Sequence, residues 1–136
     1  MKNNKKVLVF GTFDLLHKGH LDFFKQARKH GNILIAVIAR DKTVMMVKNR
    51  KPLHNEKKRL INAGKHVDKA VLGGLGNKYA VITAIKPEVI CLGYDQNSFT
   101  KGLRSELKKR NIKAKVIRLK PYKSRVYKTT MIRKRL

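Results

Sequence analysis

Carboxylates are scarce in this chain. Eight Asp and Glu face 34 Lys and Arg over 136 residues, for a formal net charge of +26. Such a field attracts polyanions: nucleic acid, an anionic membrane or small phosphorylated substrates. Most of it reads as a lysine-rich solvated surface with weak, salt-sensitive, non-specific affinity for nucleic acid. Cysteine is nearly absent too. The one thiol, Cys91, lies in the apolar run VICLG, which excludes a disulfide framework and suits a buried side chain in a reducing cytoplasm. Long hydrophobic runs are missing. The longest, ILIAVIA over residues 33–39, is far too short to span a bilayer, and MKNNKK followed only by VLVF is not a secretory signal. A soluble, cytoplasmic protein with no membrane partner is expected. Repeats, low-complexity blocks and interdomain linkers are also absent, so residues 1–136 are expected to form one domain with a real core.

Strand and helix signals alternate in what remains. KKVLVFG (5–11), NILIAVIAR (32–40), DKAVLG (68–73), PEVICLG (87–93) and AKVIRL (114–119) read as strands. GHLDFFKQARKHG (19–31) has apolar residues at helical spacing, with Gly31 as a stop. Asp41 is placed to cap a helix over DKTVMMVK. The basic loop KNRKPLHNEKKR (48–59) runs into a helix ending near Gly64. KYAVITAIK (78–86), LRSELKKR (103–110) and TTMIRKRL (129–136) complete the helices. Strands alternating with helices predict an α/β fold, a parallel sheet covered on both faces.

In such sheets ligands bind beyond the carboxyl ends of the strands. The polar, glycine-containing stretches here follow those ends: GTFDLLHKGH, ARDK, GYDQ and PYKSRVYKTT. They would crowd Gly11, Thr12, His17, Lys18, Gly19, His20, Arg40, Asp95 and Lys123 into one site. That site is rich in donors and cations. Gly19 would open a helix whose free N–H groups and dipole favour a phosphate. His17 and His20 would share one side of the helix start and donate to phosphoryl oxygens. Metal binding and a purely structural role are the rivals for the two imidazoles. No third His, Cys or carboxylate completes a zinc set, and neither a Walker A sequence nor G-x-G-x-x-G follows the first strand.

GTFDLLHKGH resembles the H-x-G-H signature of the cytidylyltransferase-like nucleotidyltransferases. With VDKAVLGGLGNK, KPEVICLGYDQ and YKSRVYKTT the resemblance covers almost the whole chain and is nearest to the archaeal-type FAD synthases, which are FMN adenylyltransferases. It implies a single Rossmann-like, doubly wound five-stranded parallel sheet of order 3-2-1-4-5. It further implies that His17 and His20 contact the triphosphate and the reacting α-phosphate, with Gly11, Thr12, Phe13 and Gly19 lining the nucleotide. Lys18 reaches a phosphate or points to solvent. Asp14 orders the loop or is an ordinary turn carboxylate. Arg59 matches a basic family position, as a phosphate contact or a solvated helix charge. Gly93, Asp95 and Gln96 match a loop against the nucleoside, with a structural turn as the alternative for Asp95. Thr129 and Thr130 match a pair that binds outgoing pyrophosphate or simply caps a helix, and Lys123 is placed to pair with the acceptor phosphate.

The implied reaction is transfer of AMP from ATP to FMN, giving FAD and pyrophosphate. A CTP-dependent cytidylyltransferase acting on glycerol 3-phosphate is the alternative. KSRVYKTT lacks the Arg and Glu of the cytidylyl-type ending, which weighs against it. A basic nucleic-acid-binding module is the non-enzymatic alternative. Relatives are often homodimers. The acceptor phosphate is already a competent nucleophile, so alignment and charge stabilisation would carry the rate. A divalent cation, expected to be Mg²⁺, would be held mainly by the triphosphate, with no metal ligand assigned to the chain.

Overall fold

A computed structural model describes residues 4–76, 79–94, 96 and 102–121. The elements run β1 (Lys6–Gly11), α1 (Lys18–Arg28), β2 (Ile33–Ile38), α2 (Asp41–Lys48), α3 (Glu56–Gly64), β3 (Lys69–Leu72), α4 (Ala80–Ile85), β4 (Val89–Leu92), α5 (Leu103–Lys109) and β5 (Lys115–Arg118). Every described strand pairs in parallel, in the order β3-β2-β1-β4-β5. This is the Rossmann-like order the resemblance implied. The expected closing helix over 129–136 lies outside the described residues.

Burial explains the order. The central strands carry uninterrupted apolar runs, and VLVF in β1 and VICL in β4 are wholly buried. Helices cover both faces of such a strand, so it needs no polar alternation. The end strands β3 and β5 each begin on an exposed lysine, Lys69 and Lys115. Side chains alternate across the sheet. Val7 and Val9 pack towards Phe24 and Ala27 of α1 and Ala63 of α3. Leu8 and Phe10 pack on the other face towards Ile82 of α4 and Leu103 and Leu107 of α5. Cys91 is in the first of these cores, and burial pushes its thiol up to about 12, so it stays protonated and inert at neutral pH.

Two local expectations change. Helix α1 stops at Arg28, before Gly31. Gly31 is needed for a close approach instead, because a Cβ there would lie 2.5 Å from the Lys5 carbonyl oxygen and 2.6 Å from Val7 Cγ2. Asp41 does not cap α2 by its side chain. Arg40 is the N-cap residue, Asp41 is the first helical residue, and its carboxylate is taken by Arg59 at 2.8 Å.

Candidate active site

The link from β1 to α1 turns in an unusual way. Phe13 and Leu15 both adopt left-handed backbone, with φ of 53° and 50°. Each such residue costs on the order of 1–3 kcal/mol unless its surroundings hold it. Two contacts hold this turn. The Phe13 ring is buried, with its centroid 5.1 Å from that of Phe24. The Asp14 carboxylate, also buried, accepts from the backbone N–H groups of Leu53 at 2.7 Å and His54 at 2.9 Å. Asp14 therefore ties this loop to the one between α2 and α3, the ordering role rather than the ordinary-turn one. Gly11 makes room for the turn. A Cβ there would sit 2.7 Å from Phe13 Cζ. Gly11→Ala should drive the ring out of place, costing about 1–3 kcal/mol by overpacking, and thermal unfolding of the purified variant measures it.

The loop delivers His17 to the N-cap of α1. The Gly19 N–H donates to His17 Nδ1 at 3.0 Å, and the His17 N–H donates to His20 Nδ1 at 3.3 Å. This is a capping box in which imidazoles replace the usual hydroxyl and carboxylate. It has a chemical consequence. Each Nδ1 accepts, so each neutral ring carries its proton on Nε2. The rings lie 4.0 Å apart, centroid to centroid. Burial lowers the pKa of His17. Burial, then His17, then the charge of Lys48 lower that of His20 to about 3. At neutral pH the pair is two uncharged Nε2–H donors, not two cations and not two metal ligands. Among the described residues no group of three His, Cys, Asp or Glu could hold a metal ion.

The other expected residues divide sharply. Gly93 follows β4, which pairs with β1, so it lies across the crevice from Gly11 and Thr12. Gln96 stitches that crevice together: Oε1 accepts from the Gly93 N–H at 2.7 Å, and Nε2 donates to the Phe10 carbonyl at 2.6 Å. Lys18 is exposed. The Gly19 amide is not a free phosphate donor, since His17 has taken it. Arg40 is engaged with the Gly73 carbonyl at 2.8 Å and Glu56 at 3.2 Å. Asp95, Lys123, Thr129 and Thr130 lie outside the described residues.

Arg59 is where the arrangement departs most from expectation. It is neither a solvated helix charge nor exposed to a ligand, because it is 0% exposed. Its nitrogens donate to the His54 carbonyl at 3.0 Å, the Thr12 carbonyl at 2.8 Å and Asp41 Oδ1 at 2.8 Å. One guanidinium thus joins the β1 loop, the start of α2 and the loop before α3. The planar fork suits three divergent acceptors, which a lysine cannot match. In this arrangement it holds the Thr12 carbonyl. Lys48, at the end of α2, was not singled out from the sequence, yet its charge acts on His20. The basic run that opens at residue 48 was the available signal.

A family model described as cytidylyltransferase-like matches residues 8–135. The chain is 44% identical over 119 residues to an FAD synthase from Aciduliprofundum boonei, covering 86% of this chain and 79% of that protein. It is 41% identical over 135 residues to an FAD synthase from Thermococcus sibiricus, covering 96% and 91%. Among solved structures, a lipopolysaccharide core biosynthesis protein from Thermoplasma volcanium matches with a TM-score of 0.82 at 35% identity, over 88% of this chain and 99% of that one. A pantoate-beta-alanine ligase from Francisella tularensis, at TM-score 0.61 and 17% identity over 98% and 69%, shares the fold. The match from the first strand nearly to the last residue, over a loop built around two histidines, means that this chain belongs to the cytidylyltransferase-like family.

Proposed function

We propose that the chain is an FAD synthase: it transfers AMP from ATP to FMN and releases pyrophosphate. The observation that carries this reading is the reciprocal histidine cap, which fixes two Nε2–H donors at the carboxyl end of β1. The names and coverage of the archaeal relatives support the choice of substrates.

A phosphate oxygen of FMN attacks the α-phosphorus of ATP. The new P–O bond forms as the bond to the β-phosphate oxygen breaks, and pyrophosphate leaves with the electron pair. No strong base is needed, because the acceptor phosphate is already anionic. His17 and His20 donate to the phosphoryl oxygens on which charge builds, and they need no protonation to do so. Lys48, whose charge already bears on His20, pairs with a phosphate of the bound nucleotide. Gly93 and Gln96 set the width of the crevice for the nucleoside. Asp95, Thr129, Thr130 and Lys123 keep the roles the family pattern gives them: nucleoside, pyrophosphate and acceptor phosphate. Lys18 stands at the mouth, on the solvent side. A Mg²⁺ ion would neutralise triphosphate charge, held by the nucleotide itself. A cytoplasmic setting, with both substrates at hand, goes with this reading; among the described residues no helix is long and apolar enough to cross a membrane.

The test is a panel of ATP or CTP with FMN or glycerol 3-phosphate, read as pyrophosphate release and by chromatography of the product. FAD from ATP and FMN is expected. A CDP-alcohol from CTP, with no FAD formed, overturns the reading. In the same assay Lys48→Met should lower kcat/KM by ~10- to 100-fold, the loss of one charge-assisted hydrogen bond.

A further inference from the structure

The edge of the sheet away from the histidines carries a second cationic feature. A cleft of about 370 Å³ lies between α5 and the start of β5. Its floor is aliphatic, from Leu107, Ile112 and Val116, and its rim holds Arg104, Lys108 and Lys113. Lys115 opens β5 opposite Val89, at the amino end of β4, whereas the catalytic loop follows the carboxyl end of β1. The cleft therefore lies at the amino ends of the strands and the histidine pair at the carboxyl ends of the same parallel sheet.

The rim is electrostatically unbalanced. From residue 103 to 120 eight Lys and Arg accompany a single carboxylate, Glu106. Glu106 is already shared by Lys109 at 3.8 Å and Arg110 at 3.2 Å. Arg104, Lys108 and Lys113 are exposed and make no ion pair among the described residues. Arg104 and Lys108 are four apart on one helix face, an arrangement of like charges that weakens a helix. Lysines on an edge strand discourage sheet-to-sheet pairing, which accounts for Lys115 but not for two cations on a helix. Three unpaired cations around an apolar floor match an anion that also carries a flat apolar group.

The geometry points to a single-stranded polynucleotide as the occupant: a base rests on the Leu107–Ile112–Val116 floor, and successive phosphates meet Arg104, Lys108 and Lys113. Lys115, exposed at the start of β5 two residues beyond Lys113, extends the cationic surface beyond what one small anion requires. Sequence-tolerant single-strand binding combines a cationic groove along the phosphates with a surface that receives the bases, most often aromatic; here that surface is aliphatic, so the three cations carry most of the affinity.

The test is fluorescence anisotropy with labelled polyuridylate and the matching DNA strand, titrated over ~50 to 200 mM salt. The triple variant Arg104→Gln, Lys108→Gln, Lys113→Gln is compared with a control that removes three exposed lysines elsewhere, Lys25→Gln, Lys29→Gln, Lys65→Gln. The cleft variant should weaken binding of either strand and reduce the slope of log K against log salt by about 2, at ~0.7 per cation. The control should change it far less, and FAD formation should be unchanged in both. Equal losses in the two variants would mean an unlocalised surface field and overturn the proposal. So would binding to phosphatidylglycerol vesicles that depends on the three cations while polynucleotide binding does not.

Discussion

Replacing His17 or His20 by Asn is expected to lower kcat by ~100- to 1000-fold, the usual effect of losing one transition-state donor, while leaving the fold in place. Asparagine suits the purpose because its Oδ1 stands where the imidazole Nδ1 stands. In His17→Asn the new oxygen still accepts the Gly19 N–H, and Asn is among the best N-cap residues. In His20→Asn it still accepts the His17 N–H. Only the ring's Nε2–H is lost. Steady-state kinetics alongside thermal unfolding separates the two functions of each ring. Wild-type turnover in a well-folded double variant would remove both histidines from the chemistry. Replacement by Ala would be less informative, since it also deletes the cap at roughly 1 kcal/mol.

The same pair makes stability depend on pH. In the unfolded chain His20 binds a proton below pH 6.5, its ordinary value, whereas burial holds the folded-state value at about 3. Between those limits the unfolded state binds more protons, so the folded state loses stability as pH falls. At ~1.4 kcal/mol per pH unit, acidification from pH 6.5 to about 4 should cost on the order of 3 kcal/mol through this one group. Urea unfolding over that range checks the sign, and His20→Asn should flatten the dependence.

The other large effect is expected at Arg59. Arg59→Met preserves the stem and deletes the fork. It leaves the Thr12 and His54 carbonyls without this donor, at ~1–3 kcal/mol each, for a total of about 2–6 kcal/mol. Asp41 adds little, because its side chain is 41% exposed and water can replace the guanidinium. Against the ~5–15 kcal/mol of a typical domain, that is a large fraction. Arg59→Lys keeps the charge and folds more readily, yet one ammonium cannot serve three divergent acceptors. Its expected signature is a fall in kcat with a rise in KM, as Thr12 and the loop before α3 lose their common anchor. A Lys variant with wild-type kinetics would show that the charge alone matters and the fork does not.

These two residue types also show what was legible in the chain. The histidine pair, its glycine and the strand before it could be read directly, because the cap is local: donors and acceptors lie within three residues of one another. The parallel sheet was equally legible, since VLVF, ILIAVI and VICL are apolar without alternation, as two-sided burial requires. Gly31 could be seen as a helix terminator but not as the residue that admits Lys5, a contact made across 26 positions of chain.

Residue types and their short-range spacing decided the strands, the imidazole cap and the class of ligand, because each depends on neighbours a few positions away. Tertiary structure alone decided that Arg59 is buried rather than bathed in solvent, that Asp14 clasps the amides of Leu53 and His54, and that Lys48 is close enough to depress His20. Those partners are 18 to 47 positions apart along the chain in the case of Arg59 with Asp41 and Thr12. Nothing in a linear order of residues says which carbonyl a guanidinium will meet once helices pack onto a sheet. A buried cation and a solvated one are spelled with the same letter, and only the packing around them tells them apart.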